Sequence, residues 1–307
     1  MSRYLVTGAA GFIGSSLAKR LISDGNEVIT VDNLSTGSKN NLPDGIDFIE
    51  GDIGDISTFN KIPNGYYDAI FHIAGQSSGE ISFDDPIYDI KTNAESTLLL
   101  LNFCIQNNCK RLIFASTMSV YGTKPEHAVK EEEECQPQSF YGVAKLASEH
   151  YLRIYQNYGI ETTSLRLFNV YGTGQNLDNL KQGMVSIYLA QMIRDRHIHV
   201  KGSPDRFRDF IHVDDVVESF YRCLDNPMSI GRSINIATGK QTRVSEIIHM
   251  LTSNYKEDIT IEYEGGTPGD IHGIYADVNL MNRILGTWKK VDLKDGISRM
   301  INSYTTS

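Results

Sequence analysis

Short apolar runs separated by amphipathic stretches set the rhythm of the first half of the chain. Tyr4-Leu5-Val6, Val28-Ile29-Thr30-Val31, Ile46-Asp47-Phe48-Ile49-Glu50, Asp68-Ala69-Ile70-Phe71-His72-Ile73 and Leu112-Ile113-Phe114-Ala115 read as strands. Between the first two, Phe12, Ile13, Leu17, Leu21 and Ile22 recur at helical spacing, and a long helix is predicted from Pro86 to Asn107, with the proline suited to its first turn. This alternation runs to about residue 168 and predicts an α/β fold, a Rossmann-type doubly wound parallel sheet covered on both faces. Beyond residue 170 the rhythm loosens. Helices are predicted at Met184 to Arg194, Asp214 to Leu224 and Val244 to Leu251, and strands at His197 to Val200, Ile234 to Ala237 and Ile259 to Tyr263. The expected division is residues 1–170 for the sheet domain and 171–307 for a smaller C-terminal substrate-binding lobe, with later segments free to return to the sheet.

The turn between the first strand and the first helix is Thr7-Gly8-Ala9-Ala10-Gly11-Phe12-Ile13-Gly14. Strand, glycine turn and helix together make a dinucleotide cradle: glycines let the backbone approach a pyrophosphate, and the helix N-terminus offers unpaired N–H groups and a positive dipole end. The spacing is G-x-x-G-x-x-G, so the context carries the reading. The second strand ends in Asp32, where an acidic residue would grip the adenosine ribose and repel a 2′-phosphate, which points to NAD over NADP. Asp52 and Ile53, after the third strand, would lie beside the adenine, and Ala74-Gly75-Gln76, after the fourth, would face the cofactor.

Composition narrows the class. The chain has 307 residues and a formal net charge of −9, which argues against a general nucleic-acid binder and against attachment to an anionic membrane. The longest apolar runs, such as Leu98-Leu99-Leu100-Leu101, are far too short to span a bilayer, and no signal-peptide pattern opens the sequence, so a cytoplasmic protein is expected. Cys104, Cys109, Cys135 and Cys223 form no C-x-x-C pair and are expected to be free thiols. His197 and His199 share a strand face without a third ligand, and Lys130 to Glu134 is a solvated charge run; no metal site is expected.

Tyr141-Gly142-Val143-Ala144-Lys145 opens a further helix predicted to reach Tyr158 and to be capped by Gly159. The i, i+4 spacing puts phenol and ammonium on one face, one turn apart. A tyrosine with its ordinary pKa of about 10 is a poor base at neutral pH, but a lysine cation and a positive nicotinamide ring both favour the phenolate. Thr117, at the end of the fifth strand, adds a hydroxyl.

With these pieces in place the chain resembles the extended short-chain dehydrogenase/reductase family, in particular its nucleotide-sugar epimerase and dehydratase branch. The resemblance rests on TGAAGFIG at 7–14, DNLSTG at 32–37, GDI at 51–53, HIAG at 72–75, STMSVYG at 116–122, YGVAK at 141–145, RLFNVYG at 166–172 and RDFIHVDD at 208–215. It implies Thr117, Tyr141 and Lys145 as the catalytic set. It implies cofactor contacts at Gly8, Gly11, Phe12, Ile13, Gly14, Asp32, Asn33, Ser35, Asp52, Ile53, Ala74, Gly75, Gln76, Asn93 and Phe168, besides Tyr141 and Lys145. Sugar-nucleotide contacts are implied at Ser77, Thr117, Met118, Ser119, Asn169, Lys201, Arg208 and Asp270, with Asn169 and Arg208 on the diphosphate. Relatives often form homodimers through a four-helix bundle, which would use the helix after Pro86 and the one carrying Tyr141.

Two departures sort the branches. In 4,6-dehydratases of the family the two residues after the threonine are typically acidic; here they are Met118 and Ser119, so proton transfer at C5 and C6 lacks its groups and epimerisation is favoured. In Gly266-Thr267-Pro268-Gly269-Asp270, Thr267 stands where many relatives carry a phosphate-binding arginine, so either Arg206 or Lys201 compensates or the donor differs from the usual UDP-hexose. The expected activity is therefore 4-epimerisation of a UDP-linked hexose, N-acetylhexosamine or uronic acid, with a 4,6-dehydratase, 4-oxidase or reductase on the same fold as the alternative.

Overall fold

The computed structural model describes residues 1–253, 255, 257–266 and 272–305. Seven parallel strands build the central sheet: β1 (Arg3–Thr7), β2 (Glu27–Asp32), β3 (Asp47–Glu50), β4 (Ala69–His72), β5 (Arg111–Thr117), β6 (Glu161–Leu167) and β7 (Arg232–Ile236). Their order is β7-β6-β5-β4-β1-β2-β3, so the winding reverses between β1 and β4 and a crevice opens at the carboxyl ends of those two strands. The helices are α1 (Phe12–Ser23), α2 (Ile56–Phe59), α3 (Gly79–Asp84), α4 (Pro86–Ile90), α5 (Ser96–Gln106), α6 (Phe140–Tyr155), α7 (Met184–Asp195), α8 (Val213–Arg222), α9 (Val244–Thr252), α10 (Asn279–Leu285) and α11 (Leu293–Thr305).

Strand alternation divides the core between the two faces. Tyr4, Val6, Val28, Phe71, Ile113, Leu165 and Ile234 pack with Leu17 and Leu21 of α1, Val216 and Phe220 of α8 and Ile284 of α10. Leu5, Ile29, Ile70, Leu112 and Phe114 point the other way, onto Leu100, Leu101 and Cys104 of α5 and Leu152 of α6. A third cluster joins α7, α9 and α11 through Leu189, Met192, Ile247, Leu251 and Met300.

The two parts interlock. β7 pairs with β6 over Arg232–Ile236, so the chain returns to the main sheet after building part of the small lobe. Ala128 and Val129 leave the first part to pair with Tyr275 and Ala276 at the edge of a small four-stranded sheet. Asp209 pins the junction: its carboxylate accepts from the Thr238 N–H and hydroxyl and from the Gly239 and Ala276 N–H groups.

The single helix expected over Pro86–Asn107 is three pieces, because a π-helical turn at Lys91–Glu95 separates α4 from α5. The wider turn puts Thr92, Asn93 and Ala94 all inside, which one stripe of an α-helix does not do with consecutive residues. The helix bearing Tyr141 ends as expected, in a 3₁₀ turn at Gln156–Tyr158 closed by Gly159 at φ +82°.

Candidate active site

A cleft of about 570 Å³ runs across the carboxyl ends of the strands and on beneath the small lobe. The glycine turn forms one end. Gly8 has φ +70°, and a Cβ built there would lie 2.6 Å from the Ala74 nitrogen; at Gly14 it would lie 2.0 Å from the Gly8 carbonyl oxygen. Gly11 is the N-cap of α1 and brings no side chain to cap it, which leaves the helix N-terminus open to an anion. Asp32 is buried at the end of β2. Its Oδ2 accepts from the Ala10 N–H at 2.9 Å and its Oδ1 from the Leu34 N–H at 2.8 Å, so the carboxylate shapes the turn and keeps lone pairs for a ribose diol. Asn33 donates to Asp52 at 3.0 Å, and Asp52 also accepts from the Gly54 N–H, which ties the loops after β2 and β3 together. This set fits NAD: a Cβ-free cradle for the pyrophosphate and a carboxylate at the ribose.

At the middle of the cleft stand Thr117 at the end of β5 and Tyr141 and Lys145 on the first turns of α6. Ser139 caps that helix through the Gly142 N–H. The Lys145 ammonium donates to the Ala115 carbonyl at 3.1 Å and lies 4.6 Å from the Phe114 ring centroid and 6.0 Å from that of Tyr141. Burial pushes the Tyr141 phenol up to about 12, with the hydrogen bond from Thr117 pulling the other way. It pushes Lys145 down to about 8, opposed by the Asp89 carboxylate. Two positive charges, the lysine and the nicotinamide ring, are expected to favour the phenolate; beside Lys145 alone, desolvation of the phenol is the larger effect.

Of the residues named for cofactor contact, Gly8, Gly11, Phe12, Ile13, Gly14, Asp32, Asn33, Ser35, Asp52, Ile53, Ala74, Gly75, Gln76 and Phe168 all line the cleft. Asn93 lies under its floor: its amide donates to the Gln76 carbonyl at 2.8 Å and to Asp89 at 3.1 Å. Ser77, Met118, Ser119 and Asn169 line the far end, where the Asn169 amide donates to the Met118 sulfur at 3.5 Å. Arg208 and Lys201 are not brought to the wall. Arg208 is buried, donating to the Phe207 and His272 carbonyls, and Lys201 is exposed on a strand of the small lobe. Asp270 and Thr267 lie outside the described residues.

Three features escaped the sequence patterns. Asp89 is fully buried below the cleft and accepts from Gln76 at 2.8 Å; its i, i+4 relation to Asn93 was the available signal. Gln182 crosses the cleft to donate to the Ser77 hydroxyl at 2.5 Å, a pairing over 105 positions that no local pattern reveals. Behind α6, Glu149 accepts from Arg166 at 2.7 Å, from Ser116 at 2.5 Å and from Ser233 at 2.9 Å, bracing the helix of Tyr141 against β5, β6 and β7. Among the described residues no cluster suits a metal ion, the four cysteines are free, and no helix is long and apolar enough to cross a membrane.

Comparison with known proteins identifies the family. The sequence profile of the NAD dependent epimerase/dehydratase family matches residues 4–237. A putative UDP-glucose 4-epimerase of Methanocaldococcus jannaschii is 33% identical over 97% of both chains. The solved structure of a UDP-glucose 4-epimerase from Thermotoga maritima with UDP-glucose superimposes with a TM-score of 0.91 at 34% identity, covering 99% of each chain. That of a Thermus thermophilus UDP-glucose 4-epimerase in complex with NAD gives 0.90 at 30% identity, also covering 99% of each. The chain belongs to the NAD-dependent epimerase/dehydratase family, a family of nucleotide-sugar enzymes, and its cofactor is NAD.

Proposed function

We propose that the protein is a nucleotide-sugar 4-epimerase that inverts C4 of a UDP-linked hexose, N-acetylhexosamine or uronic acid. The observation that carries this reading is the convergence of Thr117, Tyr141 and Lys145 on one stretch of the cleft, next to Met118 and Ser119 in place of acidic groups. Bound NAD supplies a reversible hydride acceptor. Tyr141, as phenolate, takes the proton of the C4 hydroxyl, and Thr117 hydrogen-bonds the same oxygen and steadies the negative charge. Lys145 would hold the nicotinamide ribose and add its positive charge on the side of the phenol. Once the 4-keto sugar has turned its other face to the cofactor, Tyr141 gives the proton back to the C4 oxygen and the alcohol re-forms with the opposite configuration, so no redox equivalent is consumed. A thioether at Met118 moves no protons, so the keto sugar is not drawn into loss of water.

In this reading residues 1–170 mainly hold the cofactor, and the later segments mainly close over the nucleotide-sugar. The protein acts in the cytoplasm as a homodimer, paired through the exposed isoleucines of α4 and α6: Ile87, Ile90 and Ile154 are 74%, 49% and 50% exposed. The test is to incubate purified protein with UDP-sugars, without added cofactor, and read the products by NMR. An inverted sugar as the sole product is expected. A persistent keto sugar or NADH in step with substrate would assign a dehydratase or oxidase instead.

A further inference from the structure

The proposal above leaves three kinds of sugar open, and the charge distribution of the cleft separates them. Among the described residues that line it, the ionisable acids and cations are Asp32, Asp52 and Lys145. Asp32 and Asp52 belong to the strand ends that face the adenosine, and Lys145 sits at the reacting centre beside Tyr141. The wall beyond Thr117 is polar but uncharged: Ser77, Ser119, Gln175, Asn179 and Gln182. Gln182 and Ser77, from opposite sides, meet at 2.5 Å. The neighbouring cation, Lys181, turns outward to Asp84 at 3.2 Å, with side chains 53% and 65% exposed, while its carbonyl accepts from Ser78. Directly beneath Gln76 the ionisable group is another acid, Asp89. Residues 267–271, Thr-Pro-Gly-Asp-Ile, include no cationic side chain.

We propose that this end of the cleft selects an uncharged pyranose, a hexose or N-acetylhexosamine, and rejects a uronic acid, with Gln182 and Ser77 as specificity-determining residues. The inference rests on the nucleotide-sugar reading of the site and narrows it. Hydroxyls and amides exchange hydrogen bonds with serine, asparagine and glutamine in either direction, so a neutral ring is satisfied on this wall. A C6 carboxylate is acceptor only, would lose water on entry, and would meet no opposite charge on this wall, where the hydroxyls and amides cannot replace a cation.

The test uses the NAD-loaded protein with UDP-glucose and UDP-glucuronate. The expected result is a kcat/KM for UDP-glucuronate at least about 100-fold below that for UDP-glucose, the size of rejection seen when a charged or polar group is left unpaired. Values within tenfold of one another would overturn the proposal. Calorimetric titration with UDP, UDP-glucose and UDP-glucuronate keeps the two ideas apart. If no sugar is turned over, yet UDP-glucose binds more tightly than UDP and UDP-glucuronate less, the epimerase reading falls and this inference stands. UDP-glucuronate binding as tightly as UDP-glucose sinks the inference whether or not either reacts. In Q182R, which brings a cation to the wall, the UDP-glucuronate to UDP-glucose ratio should rise about fivefold, the worth of one exposed ion pair. An unchanged ratio in a variant that retains its NAD and its Tm would remove Gln182 from the selection.

Discussion

Tyr141 can act as a base only if its proton leaves, and burial, with the Asp89 charge adding to it, holds that proton on, the phenol being pushed up to about 12. Lys145, itself pushed down to about 8, stays largely protonated at neutral pH but lies 6.0 Å from the ring centroid. In the proposed mechanism oxidised nicotinamide would supply a further positive charge, so that cofactor loading would also activate the base. Because the phenolate is the working form, the rate should rise with pH. The apparent pKa of that rise in the NAD-loaded protein should fall well below the Tyr141 titration of NAD-free protein followed by absorbance; equal values would exclude the ring from the activation. Tyr141→Phe should retain bound NAD and lose about 10³-fold in kcat, within the range for removal of a general base. That Thr117, Tyr141 and Lys145 would share one cleft was legible in the sequence because they sit in compact motifs. The balance of their charges was not, since burial depends on how α6 seats against β5.

Elements show the same split between local pattern and tertiary context. β1 to β5 follow their apolar runs, but β6, Glu-Thr-Thr-Ser-Leu-Arg-Leu, carries polar side chains inward and gives no strand period. Its partners lie far away: Thr163 donates to the Ser229 carbonyl, and Arg166 pairs with Glu149. The apolar pattern assigns nothing after Tyr263, where α10 and α11 complete two of the cores. The glycine turn is the most local element and the least tolerant. Gly14→Ala would drive a Cβ into the Gly8 carbonyl, and the variant should purify without NAD and melt several degrees lower. β1, β4 and α5 are joined by His72, fully buried, whose ring bonds Thr7 at 2.9 Å and Thr97 at 3.1 Å. Burial, with help from the Lys145 charge, pushes this imidazole down to about 3. Below pH 6.5 the unfolded chain takes up a proton that the folded one refuses, so stability should fall on acidification by up to about 1.4 kcal/mol per pH unit. His72→Gln should flatten that part of the curve in urea melts run between pH 7 and 4.5.

For the whole molecule, the exposed side of α4 and α6 carries the quaternary proposal. Val143 and Ile154 are eleven residues apart, three helical turns, and so share a face at 53% and 50% exposure. Ile154→Glu should give a monomer by light scattering while keeping NAD; an unchanged mass would move the dimer contact elsewhere. Ile234 to Ala237 reads as a strand and later segments are expected to be free to return to the sheet, but nothing in a short apolar run says which segment returns or beside which strand; it is β7, beside β6. That return has a consequence for how such a protein can change over evolutionary time. A fragment ending near residue 170 would expose the full outer edge of β6 and forfeit α8 and α10, which cover one side of the sheet. The first part is therefore not a free-standing unit, and a chain cut at that point would present an open strand edge prone to aggregate. New substrates have to be reached by small edits in the loops that meet across the cleft, such as those carrying Ser77 and Gln182.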